Sequence, residues 1–272
     1  MELPTSKKEM ERLGWDYVDV IMITGDAYID HPSFGTAIIS RVLEHAGYRV
    51  AVVPQPNWRD DLRDFKKLGT PRLFFGVNSG SMDSMVNHYT STKRLRSNDA
   101  YTPGGIAGQR PDYATTVYSR ILKNLYPDVP VVLGGIEASL RRFSHYDYWS
   151  DSYKPSILID SKADMLIYGM GERPIVAIAK ALNEGKKISD LTEIPQTAYL
   201  ATTLENCAKK PVELYSYEDC LKNKILDAKN FRIIEEQSNA WRAEKIAQRF
   251  GDNYVVVNEP DFQTTTEELD AV

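Results

Sequence analysis

The stretch Tyr17-Val18-Asp19-Val20-Ile21-Met22-Ile23-Thr24-Gly25 is a nearly unbroken apolar, β-rich run closed by glycine. Such a run, with little polar alternation, predicts a strand covered on both faces. Downstream, Phe34, Ile38 and Val42 recur at i, i+4 and i+8, with Ile39, Leu43 and Ala46 beside them. That spacing predicts one buried helix face. Gly47 supplies the usual left-handed terminator, and the chain turns at once into Tyr48-Arg49-Val50-Ala51-Val52-Val53. Strand, helix, glycine and strand in so short a span is a βαβ unit, hence parallel strands and a right-handed crossover.

The pattern repeats outward from there. Leu73-Phe74-Phe75-Gly76-Val77 is a third strand, Val129-Pro130-Val131-Val132-Leu133 a fourth and Met165-Leu166-Ile167-Tyr168 a fifth. The helix before the fourth opens at Pro111-Asp112 and places Val117, Ile121 and Leu125 on one stripe. The helix after the fifth starts at Glu172 and Pro174, carries Ile175, Ile178 and Leu182, and stops at Gly185. The fold class expected is therefore α/β, a doubly wound parallel sheet, over residues 1–195. Residues 196–257 read as a helical extension with short strands near Tyr199 and Val212, strongly helical over 218–250, then the apolar run Tyr254-Val255-Val256-Val257. Residues 258–272 carry Glu259, Asp261, Glu267, Glu268 and Asp270 with no basic residue, as a linker or mobile tail does. Residues 90–111 form a long polar insertion holding Lys93, Arg94, Arg96 and Arg110. A connection of that length is expected to be either functional or disordered.

Composition narrows the function classes. At 272 residues with 42% hydrophobic and 26% charged side chains, the chain can bury a full core and is not disordered throughout. A net charge of −5 argues against a general nucleic-acid binder. No apolar run approaches the ~20 residues of a membrane span, and the polar start Met1-Glu2-Leu3-Pro4-Thr5-Ser6-Lys7-Lys8 is no secretory signal. Cys207 and Cys220, the only cysteines, suit a reducing cytoplasm and are too few and too far apart for a four-thiolate centre.

In a parallel sheet ligands gather beyond the carboxyl ends of the strands. Candidate binding residues are therefore Asp26, Asp30 and His31 after the first strand, Ser79 and Ser81 after the third, and Gly134, Gly135, Glu137, Arg141 and Arg142 after the fourth. Glu172 after the fifth completes the set, and all four loops are expected to meet along one edge. Ser79-Gly80-Ser81 suits a phosphate but lacks the Lys-Ser or Lys-Thr of a P-loop. Asp30 beside His31 reads either as an acid/base pair or as a turn cap. His145-Tyr146-Asp147-Tyr148-Trp149-Ser150-Asp151 interleaves aromatics with His145 and Asp147, which serves equally to stack a ligand or to plug a satellite core.

Four pieces taken together carry a resemblance: 79–89, beginning Ser79-Gly80-Ser81-Met82-Asp83; Tyr101-Thr102-Pro103-Gly104-Gly105; Gly134-Gly135-Ile136-Glu137-Ala138-Ser139-Leu140-Arg141-Arg142 with 145–151; and Tyr168-Gly169-Met170-Gly171-Glu172-Arg173. In this order they resemble the N-terminal region of the YgiQ-type radical SAM proteins. The resemblance implies a Rossmann-like domain, similar to cobalamin-binding-type domains, followed by a radical SAM barrel. The barrel's CxxxCxxC motif would hold a [4Fe-4S] cluster and S-adenosylmethionine, and this chain stops before any such motif. It implies that this chain holds no catalytic residue, metal ligand or cofactor of its own, that its partner is the missing C-terminal barrel, and that it binds or caps an unspecified small-molecule or macromolecular substrate. Two rivals stand beside this reading: a cobalamin-binding module, and a self-contained nucleotide or sugar enzyme using Asp30, His31 and Glu137. Cobalamin-binding domains use a DxHxxG loop, whose counterpart here is Asp30-His31-Pro32-Ser33-Phe34-Gly35, with Asp and His adjacent and the glycine one residue late. No cobalt ligation by His31 is expected.

Overall fold

A computed structural model describes residues 2–261 and 265–271. Its strands are β1 (Val20–Thr24), β2 (Val50–Pro54), β3 (Phe74–Asn78), β4 (Val131–Leu133), β5 (His145–Asp147), β6 (Ser152–Lys154), β7 (Met165–Ile167), β8 (Thr197–Ala201), β9 (Val212–Glu213), β10 (Ile246–Phe250) and β11 (Asn253–Val257). The helices are α1 (Lys7–Arg12), α2 (Gly35–His45), α3 (Arg63–Lys66), α4 (Ser84–His88), α5 (Ala114–Leu125), α6 (Gly135–Leu140), α7 (Ile157–Ser161), α8 (Glu172–Asn183), α9 (Tyr217–Lys222), α10 (Lys224–Ser238) and α11 (Thr266–Ala271).

The main sheet runs β2-β1-β3-β4-β7-β8-β11-β10-β9. Its first five strands are parallel, with Val20 opposite both Val50 and Phe74, Phe75 opposite Val131 and Val132 opposite Met165. The doubly wound expectation holds, and the order reverses direction between β1 and β3, the switch point at which such sheets open a crevice. Alternation along each strand divides the core. Val20, Met22, Val52, Phe74 and Met165 pack under α2 and α8 through Leu43, Ile175 and Ile178. Ile21, Ile23, Phe75 and Leu166 pack under α5 and α7 through Tyr118, Leu122, Ile157 and Leu158. Each such side chain, fully buried, contributes about 1.5–3 kcal/mol.

Beyond residue 195 the chain adds α9 and α10 and also four strands to the same sheet: β8 runs antiparallel to β7, β11 to β8 and β10 to β11. The expectation of helix across 218–250 is corrected here, because α10 ends at Ser238 and 246–250 is strand β10. Gln248 hides the strand signal. It lies in the middle of β10 at 1% exposure, where its side chain accepts from the Ser144 N–H and donates to the Ser144 hydroxyl and the Tyr215 carbonyl. The insertion 90–111 is ordered, with bridges from Tyr89 to Leu95 and from Asn98 to Ile106. In the acidic tail, Asp261 and Glu268 fold back onto Arg173 of α8; residues 262–264 and 272 of that segment lie outside the described residues. Among the described residues no helix is long and apolar enough to cross a membrane.

Candidate ligand site at the carboxyl edge

A cavity of about 260 Å³ opens where β1, β3, β4 and β7 end, between α2 and α8. Its walls are mostly apolar side chains and glycine: Met22, Ile38, Ile39, Leu133, Ile167 and Ile175 with Gly76, Gly134, Gly135 and Gly171. The polar groups are few. Thr36 and Asn78 line the wall and are locked to Thr24, whose hydroxyl donates to Asn78 Oδ1 at 2.9 Å and accepts from Thr36 at 3.1 Å. Glu172, in the first turn of α8, is the carboxylate of the lining. Gly134 is extended at φ −154°, and a Cβ built on it meets nothing within 4 Å. Its Cα therefore faces open space.

Beside this cavity the loops after β1 and β3 are clasped by the insertion. Arg110, fully buried, donates to Asp26 Oδ1 at 2.7 Å, to the Ser79 carbonyl at 2.8 Å and to Asp99 Oδ2 at 2.9 Å. Asp26 also accepts from the Ser81 N–H at 2.6 Å. The two loops touch so closely that Gly80, at φ +105°, has no room for a side chain: a Cβ there would sit 2.0 Å from Asp26 Oδ1.

The candidates divide accordingly. Gly134, Gly135 and Glu172 line the cavity, and Asp26, Ser79 and Ser81 build the clasp next to it. Asp30 is instead paired with Arg41, which holds its carboxyl below the usual range. His31 is exposed, and its Nδ1 accepts from the Ser33 N–H at 3.1 Å. Glu137 is fully buried on α6 and takes three protein donors, the Ser84 N–H and hydroxyl and the Thr115 N–H. Arg141 is tied to Asp83, and Arg142 borders a separate pocket with Tyr168. His145 and Asp147 lie in the β5–β6 hairpin, where burial pushes the imidazole pKa of His145 down. Sequence reasoning missed Thr24, Thr36, Asp99 and Arg110 as contributors. Thr24 ends a strand and was within reach of the strand-end rule; Arg110 lies deep in a coil with no local pattern to mark it.

Two of these carboxyls predict a pH dependence. Burial works against ionising Asp99 and Asp147, yet the Tyr101 N–H and Arg110 at Asp99, and Ser150 and Tyr113 at Asp147, outweigh it and hold both pKa values below the ordinary range. A depressed carboxyl stabilises the fold fully above its unfolded pKa of about 3.9 and loses that contribution as pH falls through the lower folded value. The melting temperature is therefore expected to drop steeply below about pH 4, and less steeply in Asp147→Asn. Parallel curves for the two proteins would count against the assignment.

The [4Fe-4S] group associated with radical SAM proteins does not fit these residues. Cys220 is buried against Asn230, Cys207 lies 3.8 Å from the Tyr199 hydroxyl, and no set of three or more His, Cys, Asp or Glu side chains suited to a metal occurs among the described residues.

Comparison with known proteins gives a consistent set of relatives. A family model described as "Radical SAM N-terminal" matches residues 2–272. A "UPF0313 protein" of Bacteroides thetaiotaomicron is 58% identical, covering 98% of this chain and 45% of its own length. "UPF0313 protein YgiQ" of Escherichia coli is 43% identical, covering 99% of this chain and 44% of its own length. The chain thus spans less than half the length of these curated relatives. Among solved structures, the radical S-adenosylmethionine methyltransferase TsrM from Kitasatospora setae, with tryptophan substrate and a SAM analog bound, is similar at 20% identity and a TM-score of 0.43, over 66% of this chain and 28% of that one.

Proposed function

The chain belongs to the radical SAM N-terminal family, and we propose that its sheet edge holds a small ligand for chemistry performed by the rest of a longer protein. The observation that carries this reading is the make-up of the cavity at the switch point. It is walled by glycines and apolar side chains, with Thr36, Asn78 and Glu172 as its side-chain hydrogen-bonding groups. Such a wall suits a flat, largely apolar group with one or two hydrogen-bonding atoms. It offers no nucleophile paired with a base, the arrangement that covalent catalysis requires. In this reading the domain binds and orients, and the reaction belongs to a barrel carrying the iron–sulfur cluster and S-adenosylmethionine.

A self-contained enzyme working through Asp30, His31 and Glu137 is disfavoured by their surroundings: an arginine pair, a turn bond and three saturating donors. Cobalamin held through His31 is disfavoured by the same turn bond and by the exposure of its ring.

Calorimetric titration of indole, benzimidazole, adenine and hydroxocobalamin tests the proposal. At least one of the three flat heterocycles is expected to bind saturably while hydroxocobalamin does not bind tightly, and Gly134→Leu is expected to weaken that binding at least about tenfold, the equivalent of 1.4 kcal/mol. Because Gly134 is extended and its missing side chain faces open space, that variant should keep the wild-type urea midpoint. Absence of binding by all three heterocycles, or binding indifferent to Gly134→Leu, would overturn it.

A further inference from the structure

Two adjacent arginines meet opposite fates. Burial disfavours the charge on both. At Arg141 the Asp83 carboxylate outweighs it and raises the pKa; at Arg142 nothing does, and the pKa falls. Among the described residues no carboxylate lies within ion-pair distance of Arg142, although Glu235 is near enough to act on it and Glu244 lines the same pocket. Of its five N–H donors, one has a protein acceptor, Nη1 reaching the Ser139 carbonyl at 2.6 Å, and Nε is buried with no partner. The guanidinium carbon lies 5.0 Å from the centre of the Tyr168 ring and 5.3 Å from that of Phe143. A largely desolvated cation with its donors unspent is costly unless an anion meets it, and arginine remains charged at any physiological pH.

This cation borders a second pocket of about 260 Å³, which also takes in Gln237, Ser238 and Asn258. Gln237 Oε1 is occupied by the Glu244 N–H at 2.8 Å, which leaves its amide NH2 as a further donor. Tyr168 follows β7 and Asn258 follows β11, and those two strands run in the same direction because each is antiparallel to β8. The pocket therefore opens on the same edge as the first cavity. Ser139 joins the two, its carbonyl holding Arg142 and its hydroxyl accepting from the N–H of Gly169, a residue of the first cavity wall.

We infer that the pocket walled by Arg142, Tyr168 and Gln237 is an oxyanion site, taking the carboxylate or phosphate group of a small molecule. The planar fork of the guanidinium matches two oxygens of either group, and the aromatic rings beside it keep water from competing. The inference goes beyond the proposal for the first cavity and does not depend on what fills it.

The test is thermal unfolding and calorimetry with sodium acetate and with sodium phosphate, each against sodium chloride at matched ionic strength. One of the two anions is expected to bind saturably and raise the melting temperature, and which one does so tells a carboxylate-bearing from a phosphate-bearing ligand. Arg142→Gln is expected to weaken that binding at least tenfold. Ser238→Phe should do the same by filling the pocket from its exposed rim, at the end of α10, without touching the Arg142–Ser139 bond. Ser238→Phe decides the matter alone if Arg142→Gln fails to fold. Gly134→Leu should leave anion binding intact, which separates this site from the first cavity. No response beyond that to chloride, or a response that survives either pocket variant, would overturn the inference.

Discussion

Replacing Arg110 with methionine is expected to destabilise the fold by about 3–5 kcal/mol, because it strips the counter-charge from two buried carboxylates at once. Asp26 is 4% exposed and Asp99 2%, and Arg110 bridges them at 2.7 and 2.9 Å. Methionine keeps much of the side-chain volume, so the loss reports charge and hydrogen bonding more than packing. Adding Asp99→Asn to Arg110→Met removes one of the stranded charges, and the double variant should recover part of the loss. Urea midpoints of the three proteins measure the coupling. The same change should release residues 90–111, since Arg110 is their buried charged attachment to the β1 and β3 loops and Asp99 ties them to Asn87 of α4, and limited proteolysis should then cut there first. A shift below about 1 kcal/mol in the single variant, ordinary for a surface substitution, would show that the clasp is not what holds the insertion.

How far the sequence reaches is plain from these elements. The βαβ core was legible because β1, β2 and β3 are buried on both faces, which demands continuous apolar runs, and because Gly47 and Gly185 end their helices with φ of +93° and +84°. Beyond residue 195, β8 and β9 were legible as short strands near Tyr199 and Val212 and β11 as the apolar run 254–257, whereas β10 was hidden inside a stretch read as helix. It carries the buried Gln248, whose partners Ser144 and Tyr215 lie 104 and 33 residues away. The location of the candidate cavity was legible as well, since parallel strands all end on one side. Which residues compose it was legible only in part. Glycines at strand ends announce a wall, whereas the Asp26–Arg110–Asp99 clasp joins residues up to 84 positions apart and leaves no local pattern.

Glu137 shows how the same residue type supports two opposed readings until its neighbours are known. Sequence alone offers it as an acid/base group after β4. In the structure it sits on α6 at 0% exposure and fastens the first turns of two other helices. The Ser84 N–H belongs to the first residue of α4 and the Thr115 N–H to the second of α5, and neither has an acceptor within its own helix. The Ser84 hydroxyl donates to the same carboxylate at 2.5 Å and accepts from the Ala114 N–H at 3.2 Å. A carboxylate at two helix starts is also favoured by both macrodipoles. Glu137→Ala should therefore cost about 3–5 kcal/mol, from two or three orphaned buried donors at ~1–3 kcal/mol each and a cavity besides. Glu137→Gln separates the roles. An amide keeps the shape but turns its NH2 toward one of the two backbone N–H groups, donor against donor, so it should still lose about 1–3 kcal/mol. A residue serving only as a proton carrier would tolerate that swap with its urea midpoint unmoved. If Glu137→Gln is as stable as wild type, the structural assignment fails and the acid/base reading returns.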